Sequence, residues 1–293
     1  MNRTSAFFLL PLLLLSCGNI DHSIVISQPE FTSGIEGPAV SSDGKLFVVN
    51  YKSEGTIASK APKDSLFELC VTLPVGSIGN GIRFKNDSIC FIADYAKHQV
   101  LMLNVNQRKT SVYVKEERMN QPNDLAIAED GVLYASDPNW EEKSGKIWRI
   151  LPDQTVELLE ERMGTTNGIE VSPNNVFLYV NESVQRKVWR FHITAEGVNG
   201  KTLFYEFTDG GLDGMRCDQE GNLYIARYDK GTVAVLSPEG ELIRTVRLHG
   251  EKPTNVAFGG SDGKTVFVTL QDKKWIEAFK APNPGRSFQL KIK

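Results

Sequence analysis

The 293-residue chain is 41% hydrophobic and 24% charged, with a formal net charge of −3. That balance belongs to a globular protein rather than a disordered one, and no basic stripe offers nucleic acid a footprint. A length near 300 residues suggests two domains by default, yet one repeating pattern runs through the chain without a linker.

The first elements are not part of the fold. Arg3 precedes an apolar run from Phe7 to Leu15, which ends in Leu14-Leu15-Ser16-Cys17. The run is too short to span a bilayer and reads as an export signal. Ser16 before Cys17 resembles a bacterial lipobox, in which the cysteine becomes the lipidated N-terminus. Residues 1–17 are therefore expected to be a lipoprotein signal peptide and 18–293 a single domain. The expected address is the bacterial cell envelope, facing the periplasm, with membrane contact only through the lipid anchor on Cys17.

Further along, six leaders each open a short apolar strand: Glu36-Gly-Pro, Asn80-Gly-Ile, Asn123-Asp-Leu, Asn167-Gly-Ile, Asp213-Gly-Met and Asn255-Val-Ala. The gaps between them are 44, 43, 44, 46 and 42 residues (80−36, 123−80, 167−123, 213−167, 255−213). A unit of that size carrying several short strands has the period of a propeller blade. The fourth unit shows the grammar: Asn167 to Ser172, a turn at Pro173-Asn174-Asn175, then strands at Val176 to Val180, Arg186 to His192 and Thr202 to Phe207. Asp-Gly turns recur at Asp43-Gly44, Asp130-Gly131 and Asp262-Gly263, the strongest short hairpin signal. No sustained helical period occurs. The expected fold is all-β, a six-bladed β-propeller with a central metal-binding channel. The sixth unit lacks an obvious fourth strand, which the N-terminal segment from Ser23 to Ser27 can supply, in preference to Ser287 onward.

Cys70, Cys90 and Cys217 form no CxxC pair and no Cys/His cluster, so zinc and redox motifs are not suggested. Cys90 and Cys217 read as small core hydrophobes, and a Cys70–Cys90 bridge stays open.

Every leader is Glu, Asp or Asn, so six oxygen-bearing side chains should surround one axis. Glu36, Asn123, Asn167 and Asp213 supply two carboxylates and two amides. That hard donor set suits calcium or another divalent cation. Fourteen residues beyond each leader stand Asn50, Asp94, Asp137, Asn181, Arg227 and Thr269. Strand ends of an antiparallel hairpin lie side by side, so this second ring is expected to line the same cup. Among the twelve residues only Arg227 is basic, which makes it the expected dock for an anionic substrate group. Asn80, Asn123, Asn255, Asp137 and Gln121 complete the expected substrate-binding set.

The strings Gln121-Pro-Asn-Asp-Leu-Ala-Ile-Ala-Glu-Asp-Gly, Thr166-Asn-Gly-Ile-Glu-Val-Ser-Pro and Lys252-Pro-Thr-Asn-Val-Ala-Phe resemble the senescence-marker/gluconolactonase family. That family includes regucalcin and has diisopropyl fluorophosphatase as a relative. The resemblance runs from about Glu36 to Phe279. It implies a six-bladed propeller with calcium or another divalent ion on the axis. It also implies Glu36, Asn167 and Asp213 as metal ligands, Asn123 at the metal or substrate, and Asp213 as the catalytic carboxylate. One departure stands out: sugar-lactone members often carry Arg two residues before that Asn, where this chain has Gln121.

The implied activity is metal-dependent hydrolysis of a lactone or related small ester by a monomeric protein. The cation would polarise the carbonyl, and Asp213 would attack directly or activate a water. A lipid-anchored, non-catalytic binding or scaffold propeller is the second reading, and a phosphotriesterase-like hydrolase the third.

Overall fold

The computed structural model describes residues 21–288, so the segment expected to be a signal peptide and Cys17 lie outside the described residues. Each repeat folds into an antiparallel sheet in which strand follows strand. First hairpins turn on glycine: Gly44 and Gly131 take φ of 83° and 84°, where a Cβ is disfavoured. Blade four places Asn175 there with φ 57°, a side chain that tolerates the left-handed region. Its strands are Thr166–Val171, Phe177–Glu182, Lys187–Thr194 and Gly197–Glu206. The first is wholly buried and the last largely exposed.

Successive first strands pack on one another, and the sixth, Pro253–Gly259, packs on the first, Phe31–Val40. The ring is therefore closed, and the all-β, six-bladed propeller expectation holds. Among the described residues the one helical element is a 3-10 turn at Arg286–Phe288. The apolar core is divided among the blade interfaces. One cluster joins Phe47, Val49 and Ile57 of blade one to Ile82, Ile92 and Leu101 of blade two, and five others bridge the remaining neighbours. Burying one such aliphatic side chain contributes about 1.5–3 kcal/mol. No sheet is covered until its neighbours are present, so packing enforces closure.

The N-terminal segment closes blade six, as the sequence suggested. Ile24–Val25 pairs antiparallel with Trp275–Lys280, and Asp21–His22 continues parallel to Leu242–Arg247 of blade five. Glu277 ties the closure together. Its fully buried carboxylate accepts from Ser23 Oγ, from the His249 N–H at 3.0 Å and from Trp275 Nε1 at 3.0 Å. The C-terminal segment crosses the opposite mouth of the channel instead: Gly285 bridges Asp218, and Arg286 reaches carbonyls of blades three and four. The three described cysteines are free and buried, so the Cys70–Cys90 bridge does not form. Both lie in the cluster between blades one and two, where they serve as small hydrophobes.

Candidate active site

Where the first strands begin, the channel opens into a cavity of about 310 Å3. Five of the six leaders line it: Glu36, Asn80, Asn123, Asn167 and Asp213. The sixth, Asn255, stands one layer back, where its Nδ2 donates to Glu36 Oε2 at 2.9 Å and its Oδ1 accepts from the Val256 N–H. It positions Glu36 and does not line the cavity.

In four blades the residue after the leader is glycine, and in blades four and five the reason is that blades meet there. A Cβ on Gly168 would come within 2.5 Å of the Asp213 carbonyl, and one on Gly214 within 1.9 Å of Asn255. Neither glycine has a left-handed φ. Leader-Gly pairs in these two blades are therefore sites of close approach, not turns. They bring neighbouring leaders together on the axis.

The second ring behaves differently from the sequence expectation. Of its six members only Asn50 lines the cavity. Asp137 accepts from the N–H groups of Asn120 and Gln121 and from Trp148 Nε1 at 2.8 Å. Asp94 accepts from the Ile78 N–H and from Gln99. Asn181 accepts from the Gly168 N–H and donates to the Asp213 carbonyl at 2.6 Å. The physical reason is a local loss of pairing. Register shifts flank the leaders, for example between Gly79 and Ile82 and between Thr166 and Ile169, and buried backbone groups freed there need partners. Second-ring side chains supply them. Arg227 follows the same rule: it stacks 3.6 Å from the Phe207 ring centre and donates to the Asp209 carbonyl and carboxylate. Arg227, Asp137 and Gln121 are therefore absent from the cavity lining.

The leaders, in contrast, are short of partners. Asn167 Oδ1 is buried and has no protein donor. Glu36 and Asp213 are the only carboxylates of the lining, with no Lys, Arg or His beside them. Burial, and then the charge of Asp124, raise Glu36 to about 7. Burial and then Glu36 push Asp213 well above the usual carboxylate range, although the Asn167 amide and the Gly214 N–H partly offset this. Two desolvated carboxylates that repel each other, plus an orphan amide oxygen, form a hard donor set that a divalent cation would neutralise. Among the described residues no group of three His, Cys, Asp or Glu side chains is placed to hold a metal. The set that fits is thus mixed: Glu36 and Asp213 with the amides of Asn123 and Asn167.

Beneath this floor lies an ionic cluster that the sequence reading missed. Asp124 is salt-bridged to Arg83 at 3.0 Å and to Arg216 at 3.1 Å. Glu170 approaches Arg216 at 3.9 Å and Arg286 at 3.6 Å. Burial alone would raise Asp124, but Arg216 and Arg83 hold it below the ordinary range. Burial and then the neighbouring Arg216 lower Arg83 to about 10. A signal was available: Arg83, Glu170 and Arg216 each stand three residues after a leader, between two apolar residues. The sequence reading also missed the upper walls. Tyr95, Trp140, Ser183, Tyr228 and Gln271 line the cavity, and they fall one to three residues beyond the second ring.

Fold and site together define a β-propeller with an acidic, amide-lined axial cup. The chain belongs to the SMP-30/gluconolactonase/LRE-like family, whose model matches residues 36–272. It is 28% identical over 215 residues to the gluconolactonase of Zymomonas mobilis, covering 65% of this chain and 60% of that protein. It is 34% identical over 159 residues to the regucalcin of Xenopus laevis, covering 51% and 52%. These matches thus span about half to three-fifths of the relatives' length. In fold it resembles the calcium-binding regucalcin of Agrobacterium tumefaciens, with TM-score 0.79 and 18% identity, covering 91% of this chain and 96% of that one.

Proposed function

We propose that this protein hydrolyses a lactone or related small ester with the help of a divalent cation, calcium being the ion its donors suit best. The observation that carries the proposal is the cup floor, where Glu36 and Asp213 face one cavity with Asn123 and the orphan Asn167 Oδ1. When bound there, the cation would act as a Lewis acid on the ester carbonyl. Glu36 is held for that task by Asn255 Nδ2 and the Gly37 N–H. Asp213 is the group to receive a proton from the attacking water, its carboxyl fixed by the Gly214 N–H at 3.0 Å. Asn80 lines the wall with no protein hydrogen bond to its amide among the described residues, and so is free to orient substrate. Ser33 and Ser183 line the cup without any histidine among the lining residues, so a Ser–His nucleophile has no counterpart. Relatives named gluconolactonase and 6-deoxy-6-sulfogluconolactonase support the reaction class, and the calcium-binding regucalcin supports the ion.

The test is an assay of the purified full chain on lactones, aryl esters and a phosphotriester, with calcium and with chelator. Lactone turnover that chelation abolishes is the expected result. Phosphotriester cleavage without lactone cleavage would move the site to the other hydrolase class. Binding without any turnover would make the protein a receptor.

Lipidation of Cys17 and a periplasm-facing anchor complete the proposal, on the strength of the Leu-Leu-Ser-Cys sequence. Cys17→Ser should abolish membrane partitioning and labelling by a radioactive fatty acid. Label retained on the variant would contradict the lipobox.

A further inference from the structure

The cup's charges and walls say more about its ligand than the reaction class does. Its two carboxylates match a divalent cation one for one, which leaves no surplus positive charge. The basic side chains around it are engaged elsewhere: beneath the floor Arg83 and Arg216 are held by the buried Asp124. Arg227 is held by Asp209 and Phe207, and Lys252 lies over the Tyr228 ring and 3.9 Å from Asp229. At the rim a further acid stands close by: a Cβ on Gly34, which lines the cup, would lie 3.0 Å from the Glu54 carboxylate. A substrate carboxylate, sulfonate or phosphate entering this cup would lose water and find, beyond a cation already neutralised by Glu36 and Asp213, only neutral dipoles in the lining, so its charge would stay uncompensated.

The walls offer a different kind of contact. Trp140 is 43% exposed, the most open of the four tryptophans, and it lines the cavity with the half-buried Tyr95 and Tyr228. Aromatic faces take the apolar face of a ring, and a volume of about 310 Å3 is at the small end for ligand sites.

We infer that the cup admits uncharged monocyclic lactones and turns away those bearing an anionic group, with Trp140 gripping the ring's apolar face as the specificity-determining residue. This rests on the lactonase reading for the reaction, though not for the selectivity. It sets the chain apart from a relative named for a sulfonated lactone, despite the shared family.

The experiment separates selectivity from turnover. Calcium-loaded full chain is titrated by calorimetry with a neutral six-membered lactam and with its carboxylated counterpart, neither of which is hydrolysed. In parallel, kcat/KM is measured for δ-gluconolactone and its 6-sulfonated analogue. The neutral member of each pair should be preferred by at least about a hundredfold, the scale set by an unpaired buried group. Trp140→Ala should weaken the neutral lactam about tenfold or more while calcium affinity stays unchanged. Gln271→Lys, at the half-buried rim, should raise affinity for the carboxylated lactam. Equal or tighter binding of the carboxylated lactam, or no binding of the neutral one, would overturn the inference. Neutral-selective binding without turnover would uphold it and overturn the hydrolase reading instead.

Discussion

The two rings of polar residues at the channel mouth come from the same hairpins, fourteen residues apart, yet they have opposite fates. Second-ring side chains are mostly engaged by the protein itself. Asp137 takes three different donors, and Asn181 both accepts from one blade and donates to the next. Five of the six leader side chains share a cavity: Asn167 Oδ1 has no donor, and Glu36 and Asp213 have no counter-charge in the lining. A polar residue at a propeller hub is thus informative only once its partners are counted. Buried groups with partners hold the backbone, and an unpartnered one that also faces a cavity, as Asn167 does, marks a place for a ligand.

The comparison can be broken most forcefully at Asp213. Asp213→Asn should reduce kcat on the best lactone at least about a hundredfold, with the thermal transition retained. Full turnover in this variant would move catalysis away from the leader ring. The opposite profile is expected at Asp137. Asp137→Ala strands two backbone N–H groups and the Trp148 indole, at a cost of about 3 kcal/mol, seen as a Tm lower by roughly 5–10 °C. Turnover at a temperature where it remains folded should change little. If activity falls and stability does not, the second ring belongs to the site after all.

The acids also predict a pH dependence. In the metal-free protein Glu36 has its affinity for a proton raised from 4.5 to about 7. A group whose folded value is raised stabilises the fold below its unfolded value and loses that contribution as pH climbs through the folded one. The Tm of chelator-treated protein should therefore fall between about pH 4.5 and pH 7, with Asp213 adding to it in the same direction. Calcium should remove most of the fall, because bound cation favours the ionised forms. A flat profile without metal would mean the two acids are not desolvated together. The smallest effect is expected at Arg227. Its removal costs a stacking contact on Phe207 and bonds to the half-exposed Asp209, about 1 kcal/mol in all. KM for anionic lactones should not move.

Much of this was legible in the sequence. The 42- to 46-residue spacing gives the blade count, because each blade must present one strand to the axis. The leader types give the donor chemistry. The second ring misled, because spacing along a hairpin fixes proximity but not direction. Side chains alternate sides, and the register shifts at Gly79 and Thr166 change what each residue faces. The cup walls came from the next residues, with Tyr95 and Tyr228 directly after Asp94 and Arg227. Arg286 left no trace, since nothing in the local sequence of the C-terminal segment marks the carbonyls of Ile127 and Ser172 as its partners.

The central claim is that the leader ring is a cation site and the second ring its scaffold. Calorimetric titration of chelator-stripped protein with calcium tests it most directly, comparing wild type, Glu36→Gln and Arg227→Ala. One site per chain is predicted, weakened by orders of magnitude in Glu36→Gln, which removes one of two charged ligands, and unchanged in Arg227→Ala. Equal affinity in wild type and Glu36→Gln, or no calcium heat in any of the three, would contradict it.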